Sequence, residues 1–558
     1  MRAFLRDLIR SGATPAAFLS GVLLSTLTVL LQRPSGIVLY TDEAGYTAPA
    51  RVLAGTAESA NLAGLQLYSP VYSVILVPFV AITRSSPWLI AVLVNVGLVG
   101  VLAVVCTRLA LDLGVHGRAA WIVGSLGCVP AVVLQVPRAW PEVTLAVLLA
   151  IWVKLVTSGD HRALWWAGVI AAGTFGVHNR MIGVLAAWVA IGAFTAVRHH
   201  EWRRRFATAL LPVIAILAGS RILTNWVVAE MYGGTAETRG FRIVDRVLNP
   251  AYWDDVLVSA GGQLWTLSVG TIGLAVIGVV ALVRTAFRLD PPLGEQIGGG
   301  SRSASVAVLL AFFATVAVGG LFLAGSIDRS DHPVYGRYLE VFGPVLTVYG
   351  VAWMRAARRR QAVVAGLVSC GSLLLFVVPL WRFGADAFAS NIQKLTIAGL
   401  LPLELLFDDA GAPFIGELDL VWVGLTAMLA CATVMALLTI RWQTGVTAIL
   451  AVWVLLIGAA SFYSLRPFLN EWEPAGDVAV DLVGEGRSVG RLADLTPTAL
   501  TAFESEAGYA VTQVVDPTVC PTDTTYVLAP ARESVGFDAE VVATMFPIPG
   551  VLLRVSCG

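Results

Sequence analysis

The sequence predicts a mainly α-helical membrane protein: a polytopic bundle of transmembrane helices at residues 1–465, followed by a small extracytoplasmic α/β domain at residues 466–558. Of the 558 residues, 57% are hydrophobic and 13% are charged, whereas about a quarter of a typical soluble domain is charged. The mean hydropathy is +0.78. After residue 465, short β-rich runs alternate with Gly, Pro and Asp turns. This composition excludes a soluble enzyme, a disordered scaffold and a nucleic-acid-binding protein.

Apolar runs predict about thirteen membrane spans, since crossing a bilayer takes about 20 residues. The first run follows Arg2, Arg6 and Arg10 and lacks a small-residue cleavage site, so it is interpreted as a retained span. We see no inverted repeat, which disfavours a secondary transporter. The runs lie at residues 16–34, 87–111, 119–136, 142–157, 163–177, 181–197, 207–229, 266–287, 304–326, 341–354, 362–381, 419–440 and 445–463.

Arginine-rich turns predict the orientation of these spans. Residues 198–205 and residues 355–360 each hold four Arg, and short loops rich in Lys and Arg stay in the cytoplasm. Counting spans places both turns on one side, so the N-terminus is expected in the cytoplasm. The outward segments are then residues 35–86, 137–142, 178–180, 230–265, 327–340 and 382–418, and the chain after about residue 464.

The predicted extracytoplasmic domain of about 90 residues is large enough to fold alone. It carries Cys520 and Cys557, and an external compartment permits disulfides. A Cys520–Cys557 disulfide is therefore predicted, with two unpaired thiols as the alternative. No Cys/His cluster indicates zinc. No metal site or cofactor is predicted, although a divalent cation at the carboxylates is left open.

The first outer loop, residues 35–86, contains two adjacent carboxylates in the stretch YTDEAGYTAPARVLAG. Asp42 and Glu43 fit the first turn of a short helix, where the helix dipole favours negative charge. Asp42 and Tyr46 are four residues apart and share one face. Pro49 predicts a break in this helix. Residues 67–79 are interpreted as an interfacial or re-entrant helix. The alternative reading is that both carboxylates only cap the helix.

Other outward segments carry arginines, which are unexpected there under the positive-inside rule. These arginines need partners, and guanidinium groups bind phosphate well. The alternative is that they pair with Asp42, Glu43, Glu142 or anionic lipid. The candidate residues in these segments are Arg138, Glu142, His178, Arg180, His332, Tyr335 and Arg337.

A carboxylate and arginines at one membrane surface suit the transfer of a sugar from a lipid phosphate. Arginines can neutralise the phosphate leaving group, and an ionised carboxylate can accept the proton of the attacking hydroxyl. Nearby negative charge also stabilises an oxocarbenium-like transition state. The sequence contains no P-loop or dinucleotide-binding fingerprint, and a lipid-linked donor requires no nucleotide.

At these residues the sequence resembles the GT-C superfamily of polytopic membrane glycosyltransferases, including protein O-mannosyltransferase-like and aminoarabinose transferase-like members (glycosyltransferase family 39-like). The resemblance rests on TDEAGYTAPARVLAG, LYSPVY, RAWPE and HNRMIG, and on an odd number of spans before an outward domain. It implies a transferase that uses a polyprenyl-phosphate-linked hexose or pentose.

The resemblance also implies roles for individual residues. Asp42 would be the general base that activates the acceptor, and Glu43 and Glu142 would be supporting acids. Arg180 and Arg337, aided by His332 and Tyr335, would hold the donor phosphate. The predicted substrate-binding set is completed by Tyr46, Arg138 and His178.

The acceptor is inferred from composition, and two alternative classes of protein are considered. Arg strongly outnumbers Lys, which occurs only as Lys154 and Lys394, and this composition is typical of a GC-rich bacterial genome. The expected partners are therefore membrane lipids and a cell-envelope glycan, lipid or protein acceptor. A multi-span transporter or lipid flippase is the main alternative, but ionisable residues at mid-span are scarce. A non-enzymatic membrane component is a third reading.

Overall fold

The protein is described by a computed structural model at residues 13–34, 40–56, 67–83, 86–158, 161–232, 241–287, 289, 300–324, 332–384, 394–404, 420–466, 489–491, 512–514, 516, 518–519, 526–529, 535–544 and 551–555. The first half of the chain contains helices α1 (Ala13–Gln32), α2 (Tyr40–Leu53), α3 (Val71–Thr83), α4 (Pro87–Asp112), α5 (Arg118–Leu126), α6 (Pro130–Val133), α7 (Glu142–Thr157), α8 (His161–Val177), α9 (Ile182–Arg198), α10 (His200–Met231), α11 (Phe241–Leu248), α12 (Trp253–Gly270) and α13 (Leu274–Ala286).

The helical region continues with α14 (Gly300–Leu323), α15 (Arg337–Glu340), α16 (Gly343–Ala356), α17 (Arg359–Gly384), α18 (Leu401–Glu404), α19 (Leu420–Ile440) and α20 (Trp442–Ala459), and ends in a π-helical turn at Ala460–Leu465. Short 3-10 helices lie at Asn179–Met181, Pro250–Tyr252, His332–Val334 and Lys394–Ile397. The mainly α-helical membrane fold predicted from the sequence is confirmed.

Helices occur at all of the predicted spans. Within the described residues, eight helices are long and apolar enough to cross a membrane, and α12 with α13 forms a ninth candidate that is bent by 108°. The other predicted spans correspond to the shorter helices α5, α7, α8 and α16. The count of about thirteen spans therefore stays a prediction. Residues 71–83 form a helix of 13 residues, which is too short for a perpendicular span.

Two local expectations about helix breaks are wrong. Helix α2 continues through Pro49 although proline removes one backbone hydrogen bond. The neighbouring Ala48 and Ala50 are fully buried, so packing of the helix offsets that loss. In contrast, the apolar run at 119–136 is not one helix. It ends at Leu126 and restarts briefly at Pro130, whose ring suits the first turn of α6.

The packing of the bundle gathers four connecting segments at one end. These are α2, residues 134–141 between α6 and α7 (the hairpin segment), the 3-10 helix Asn179–Met181 between α8 and α9, and residues 332–342 before α16. The hairpin segment is buried throughout. The amide of Asn95 in α4 donates to the carbonyl oxygens of Val136 and Arg138 at 3.1 and 2.8 Å, so the neighbouring helix satisfies the backbone of this non-helical stretch.

The described C-terminal residues form a five-stranded mixed sheet of β1 (Val489–Arg491), β2 (Thr512–Val514), β3 (Tyr526–Ala529), β4 (Ala539–Thr544) and β5 (Val551–Val555). The strand order is β2-β1-β3-β5-β4, with β1 parallel to β2 and β3, and β5 antiparallel to β3 and β4. Tyr526 and Leu528 join the hydrophobic core of the helical bundle, whereas Val527 and Ala529 join a separate cluster. This alternation shows that one face of the sheet packs on the helices. Cys520 and Cys557 lie outside the described residues.

Candidate active site

Asp42 lies in the first turn of α2 and is held by two hydrogen bonds. The Tyr68 hydroxyl donates to Oδ1, and Nη1 of Arg337 donates to Oδ2 at 2.9 Å. Burial raises the pKa of Tyr68, and the nearby Asp42 raises it further, so the phenol stays protonated and acts as a donor. The Asp42 side chain is 23% exposed. A carboxylate oxygen has further lone pairs after one hydrogen bond, so Asp42 can still accept a proton.

Glu142 begins α7 and binds two arginines with the same oxygen atom. Its Oε1 accepts from Nε of Arg337 at 2.9 Å and from Nη2 of Arg180 at 3.2 Å. The Glu142 side chain is only 2% exposed. Arg337 therefore bridges Glu142 and Asp42, which lie 195 and 295 residues away in the sequence. Two carboxylates and two guanidiniums form one connected network (the ion-pair network: Asp42, Glu142, Arg180 and Arg337).

Aromatic rings cover both guanidinium groups. The Arg337 Cζ atom lies 3.9 Å from the ring centre of Trp140 and 5.8 Å from that of Tyr335, and the Arg180 Cζ atom lies 4.6 Å from that of Tyr338. Such contacts stabilise a cation electrostatically and limit its side-chain motion. The arginines are thus fixed in position before any ligand binds.

The ion-pair network has unused hydrogen-bonding capacity. Within the described residues, Nε and Nη1 of Arg180 and Oε2 of Glu142 are buried without a hydrogen-bond partner. A buried charged group that lacks a partner is costly. A ligand with anionic oxygens and a hydroxyl group would satisfy both kinds of atom, so these three atoms point to a binding site.

His178 orients Arg180 through the backbone. Its Nδ1 accepts the N–H of Arg180 at 3.3 Å. Burial lowers the pKa of His178, and the charges of Arg180 and Arg337 lower it further. The imidazole is therefore neutral, which agrees with Nδ1 acting as an acceptor. Its ring centre lies 6.2 Å from that of Tyr338.

Glu43 lies on another face of α2, next to the hairpin segment that contains Arg138. Oε1 of Glu43 accepts the N–H of Ala139 at 2.7 Å, and Arg138 donates to Gln32 and to the Pro137 carbonyl. Both side chains are fully buried. Successive residues of a helix point about 100° apart, so Glu43 faces the hairpin segment while Asp42 faces Arg337. In this structure the pair supports the segment that presents Glu142.

Tyr46 is buried on the same face of α2 as Asp42. Its ring centre lies 5.0 Å from that of Tyr68 and 5.3 Å from that of Tyr72. Gly45 permits this arrangement, since a Cβ atom there would overlap the Tyr68 ring.

His332 and Tyr335 lie in the segment before α15, with ring centres 5.9 Å apart. The Tyr335 ring also meets the Tyr338 ring edge to face, with centres 4.9 Å apart. Substrate contacts for Tyr46, His332 and Tyr335 remain predictions.

Three residues in or beside the candidate site were not singled out from the sequence: Tyr68, Trp140 and Glu340. Tyr68 and Trp140 lie within the quoted segments LYSPVY and RAWPE, so aromatic residues beside the charged positions were the available signal. Glu340, three residues after Arg337, is buried in an apolar stretch, and no periodicity distinguishes it. For metal binding, no group of three or more His, Cys, Asp or Glu side chains in the described part of the chain could hold an ion.

Two solved structures are similar over nearly the whole chain. One is the crystal structure of ArnT from Cupriavidus metallidurans bound to undecaprenyl phosphate, with a TM-score of 0.54, 12% identity, and 96% of this chain and 97% of that chain covered. The other is apo ArnT from the same organism, with a TM-score of 0.52, 14% identity, and 97% and 98% covered. No protein-family model and no curated protein matches the sequence. The protein thus has the fold of these ArnT structures, which is the GT-C fold that the sequence resemblance predicts.

Proposed function

We propose that this protein is a membrane glycosyltransferase that moves a sugar from a polyprenyl-phosphate-linked donor to a cell-envelope acceptor at the outer face of the cytoplasmic membrane. The observation that carries the proposal is the ion-pair network, in which Arg337 joins Asp42 to Glu142 and Arg180 has unpartnered N–H groups. The shared fold adds support, because one of the similar structures is ArnT bound to undecaprenyl phosphate.

Arg180 is the proposed ligand of the donor phosphate. In the ion-pair network two carboxylates balance two guanidiniums. A phosphodiester adds one negative charge, and the departing phosphate develops a second. The unpartnered Nε and Nη1 of Arg180 would donate to the phosphate oxygens and stabilise that charge as it grows. His332 and Tyr335 would complete this side of the site.

Asp42 is the proposed general base. It is the more exposed of the two carboxylates, at 23% against 2% for Glu142, so an acceptor hydroxyl can reach it more easily. As the acceptor oxygen bonds to the anomeric carbon, its proton moves to Asp42. The bond between that carbon and the phosphate oxygen breaks, and the electron pair leaves with the polyprenyl phosphate. Glu142 would keep Arg180 and Arg337 in place during this step.

The proposed outer location follows from the arginine-rich turn beyond α9. This helix begins two residues after Arg180 and ends at Arg198, and its 17 residues span about 25 Å. The ion-pair network and the turn at residues 198–205 therefore lie at opposite ends of a membrane-length helix. Since arginine-rich turns stay in the cytoplasm, the network would face outward.

The experiment that tests the function uses the purified protein in lipid nanodiscs with a panel of radiolabelled polyprenyl-phosphate hexoses and pentoses and an extract of cell-envelope acceptors. We expect one donor to be consumed, with release of polyprenyl phosphate and a labelled acceptor product. The same donors are then placed in proteoliposomes. Movement of intact donor between leaflets without cleavage of the sugar–phosphate bond would contradict the proposal and favour a flippase.

A further inference from the structure

Glu340 is a buried carboxyl group at the end of α15, one helical turn after Arg337. Its Oε1 accepts the N–H of Gly399 at 3.0 Å, and its Oε2 lies 3.5 Å from Nε2 of Gln135. Gly399 belongs to residues 394–404, and Gln135 belongs to the hairpin segment that leads to Glu142. One side chain therefore connects the helix of Arg337 to two other segments at this end of the bundle.

Backbone encloses this carboxyl group closely on two sides. A Cβ atom at Gly399 would lie 2.5 Å from Oε1 of Glu340, and a Cβ atom at Gly336 would lie 2.6 Å from the same oxygen. Real Cβ contacts are essentially never shorter than 3.0 Å. Both glycines are thus needed for the carboxyl group to occupy this position.

The hydrogen bonds around Glu340 fit a protonated acid. Among the described residues, no Lys, Arg or His nitrogen pairs with it, and Oε1 of Gln135 is buried without a hydrogen-bond partner. The oxygen and nitrogen of an amide are assigned from the hydrogen-bond network. In the orientation shown, Nε2 of Gln135 donates to Oε2 of Glu340 at 3.5 Å. When the amide is turned by 180°, its oxygen faces Oε2 instead and accepts a hydrogen bond from the carboxylic acid.

The electrostatic surroundings agree with this protonation. Burial raises the pKa of Glu340 to about 8, opposed by the Gly399 N–H and the charges of Arg337 and Arg180, while Glu142 raises it. Arg337 is on the same helix, Glu142 begins α7, and Arg180 lies in the 3-10 helix. The packed elements α6 and α12 present uncharged residues here, Ala131 beside Gly399 and Thr266 beside Gly336. Leu323 of α14 packs with Tyr335 and Tyr338.

We propose that protonated Glu340 is a positioning residue, which holds α15 and its Arg337 against residues 394–404 and the hairpin segment for catalysis. This rests on the proposed glycosyltransferase function. Loss of the proton makes the Gln135 amide turn so that its Nε2 donates to Oε2 of Glu340. It also adds a negative charge that competes with Glu142 and Asp42 for Arg337. Activity is therefore lost as Glu340 ionises.

The direction of the pH dependence follows from the raised pKa. The folded protein binds this proton more tightly than the unfolded chain, in which a Glu titrates near about 4.3. The stabilisation from Glu340 is complete below that pH and is lost as the pH rises through about 8. Both thermal stability and transferase activity are expected to fall over this upper range.

The test compares wild type, Glu340→Gln and Glu340→Ala in nanodiscs between pH 6 and 9.5. An amide reproduces the donor and acceptor pattern of a protonated acid but does not ionise. We expect Glu340→Gln to stay within about twofold of wild type in kcat/KM at pH 6.5 and to lose the alkaline decrease. Glu340→Ala leaves Gly399 and Gln135 unpaired, so its kcat/KM is expected to fall about tenfold or more at every pH. Glu540→Gln, at a side chain that is 71% exposed, is the matched control.

Thermal unfolding of the same variants separates this inference from the proposed function. If Glu340→Gln removes the alkaline decrease in midpoint temperature but no donor is turned over, the inference that protonated Glu340 holds α15 in place is supported and the glycosyltransferase proposal is contradicted. If donor is turned over but Glu340→Gln keeps the alkaline decreases of wild type, or is folded and inactive at pH 6.5, the inference is overturned.

Discussion

Asp42 and Glu142 have the same chemistry but different surroundings. Asp42 is partly exposed and shares its oxygens between Tyr68 and Arg337, whereas Glu142 is buried between two arginines. A carboxylate that accepts the substrate's proton has to contact the substrate. A carboxylate that only orients two cations can stay buried. We therefore propose proton transfer as the role of Asp42 and positioning of the guanidiniums as the role of Glu142.

Replacing Asp42 by Asn tests this assignment. The amide keeps the size of the side chain but cannot accept the acceptor's proton, and general base catalysis contributes about 10²- to 10⁴-fold. We expect kcat to fall by about that factor with unchanged abundance in the membrane, measured by initial rates and immunoblotting. Asp254→Asn, at an exposed position in the first turn of α12, is the control. Normal turnover by Asp42→Asn would remove Asp42 from the mechanism.

Replacing Arg180 by Lys tests the donor contact. Lysine keeps the positive charge but lacks the several N–H groups of the guanidinium, so the bond to Glu142 and the phosphate contacts cannot all form. We expect the dissociation constant for a polyprenyl-phosphate sugar to rise about tenfold or more, which is about 1.4 kcal/mol, measured by equilibrium binding. Arg198→Lys, at the other end of α9, should bind donor like wild type. Equal affinity of Arg180→Lys and wild type would show that the phosphate binds elsewhere.

Contacts between elements place Asp42 where it can act. Helix α2 packs on the segment that contains Tyr68, and Gly45 lets the tyrosine ring approach the helix backbone. The hairpin segment is held by Glu43 of α2, by the bond of Arg138 to Gln32 of α1, and by Asn95 of α4. Glu43 and Arg138 thus act on the site through the backbone of that segment, which we propose as their role in place of substrate contact.

Replacing Gly45 by Ala tests the contact between Tyr68 and Asp42 separately from the stability of helix α2. The added Cβ overlaps the Tyr68 ring, so the ring and its hydroxyl move away from Asp42. We expect kcat to fall about tenfold although alanine in a helix interior is favoured by up to about 1 kcal/mol. Gly97→Ala in α4 is the matched control, because nothing lies within 4 Å of a Cβ there. A Gly45→Ala variant with wild-type rates would show that the Tyr68 contact is dispensable.

The positions of the helices were predicted well from apolar runs, because the free energy of burying such a run depends on the residues of the run itself. The two errors arose where packing opposed local preference. Proline at position 49 is tolerated by the buried turn around it, and the run at 119–136 is broken near Gly127, where a Cβ atom would lie 2.5 Å from Sγ of Cys106 in α4. Neither contact is visible in the local sequence.

The orientation of the whole molecule can be tested by labelling with a membrane-impermeant maleimide. With native cysteines replaced by Ser, Asp254→Cys is expected to react in intact cells, since α12 lies toward the same end as the ion-pair network. Glu201→Cys, in the arginine-rich turn, is expected to react only after permeabilisation. Both side chains are exposed. The opposite pattern would place the network in the cytoplasm and contradict the use of an exoplasmic lipid-linked donor.

The sequence by itself determined that the protein belongs in a membrane, where its helices lie, and which charged residues lie near their ends. The length of an apolar run and the positions of charged residues beside it are properties of short stretches of sequence, so they can be predicted without the tertiary structure. Only the tertiary structure decided that Arg337 joins Asp42 to Glu142 across 295 and 195 residues, that Glu43 faces another way, that Tyr68 contacts Asp42 and that Glu340 contacts Gly399 and Gln135. These outcomes depend on how distant helices pack and rotate against one another, and no local pattern carries that information.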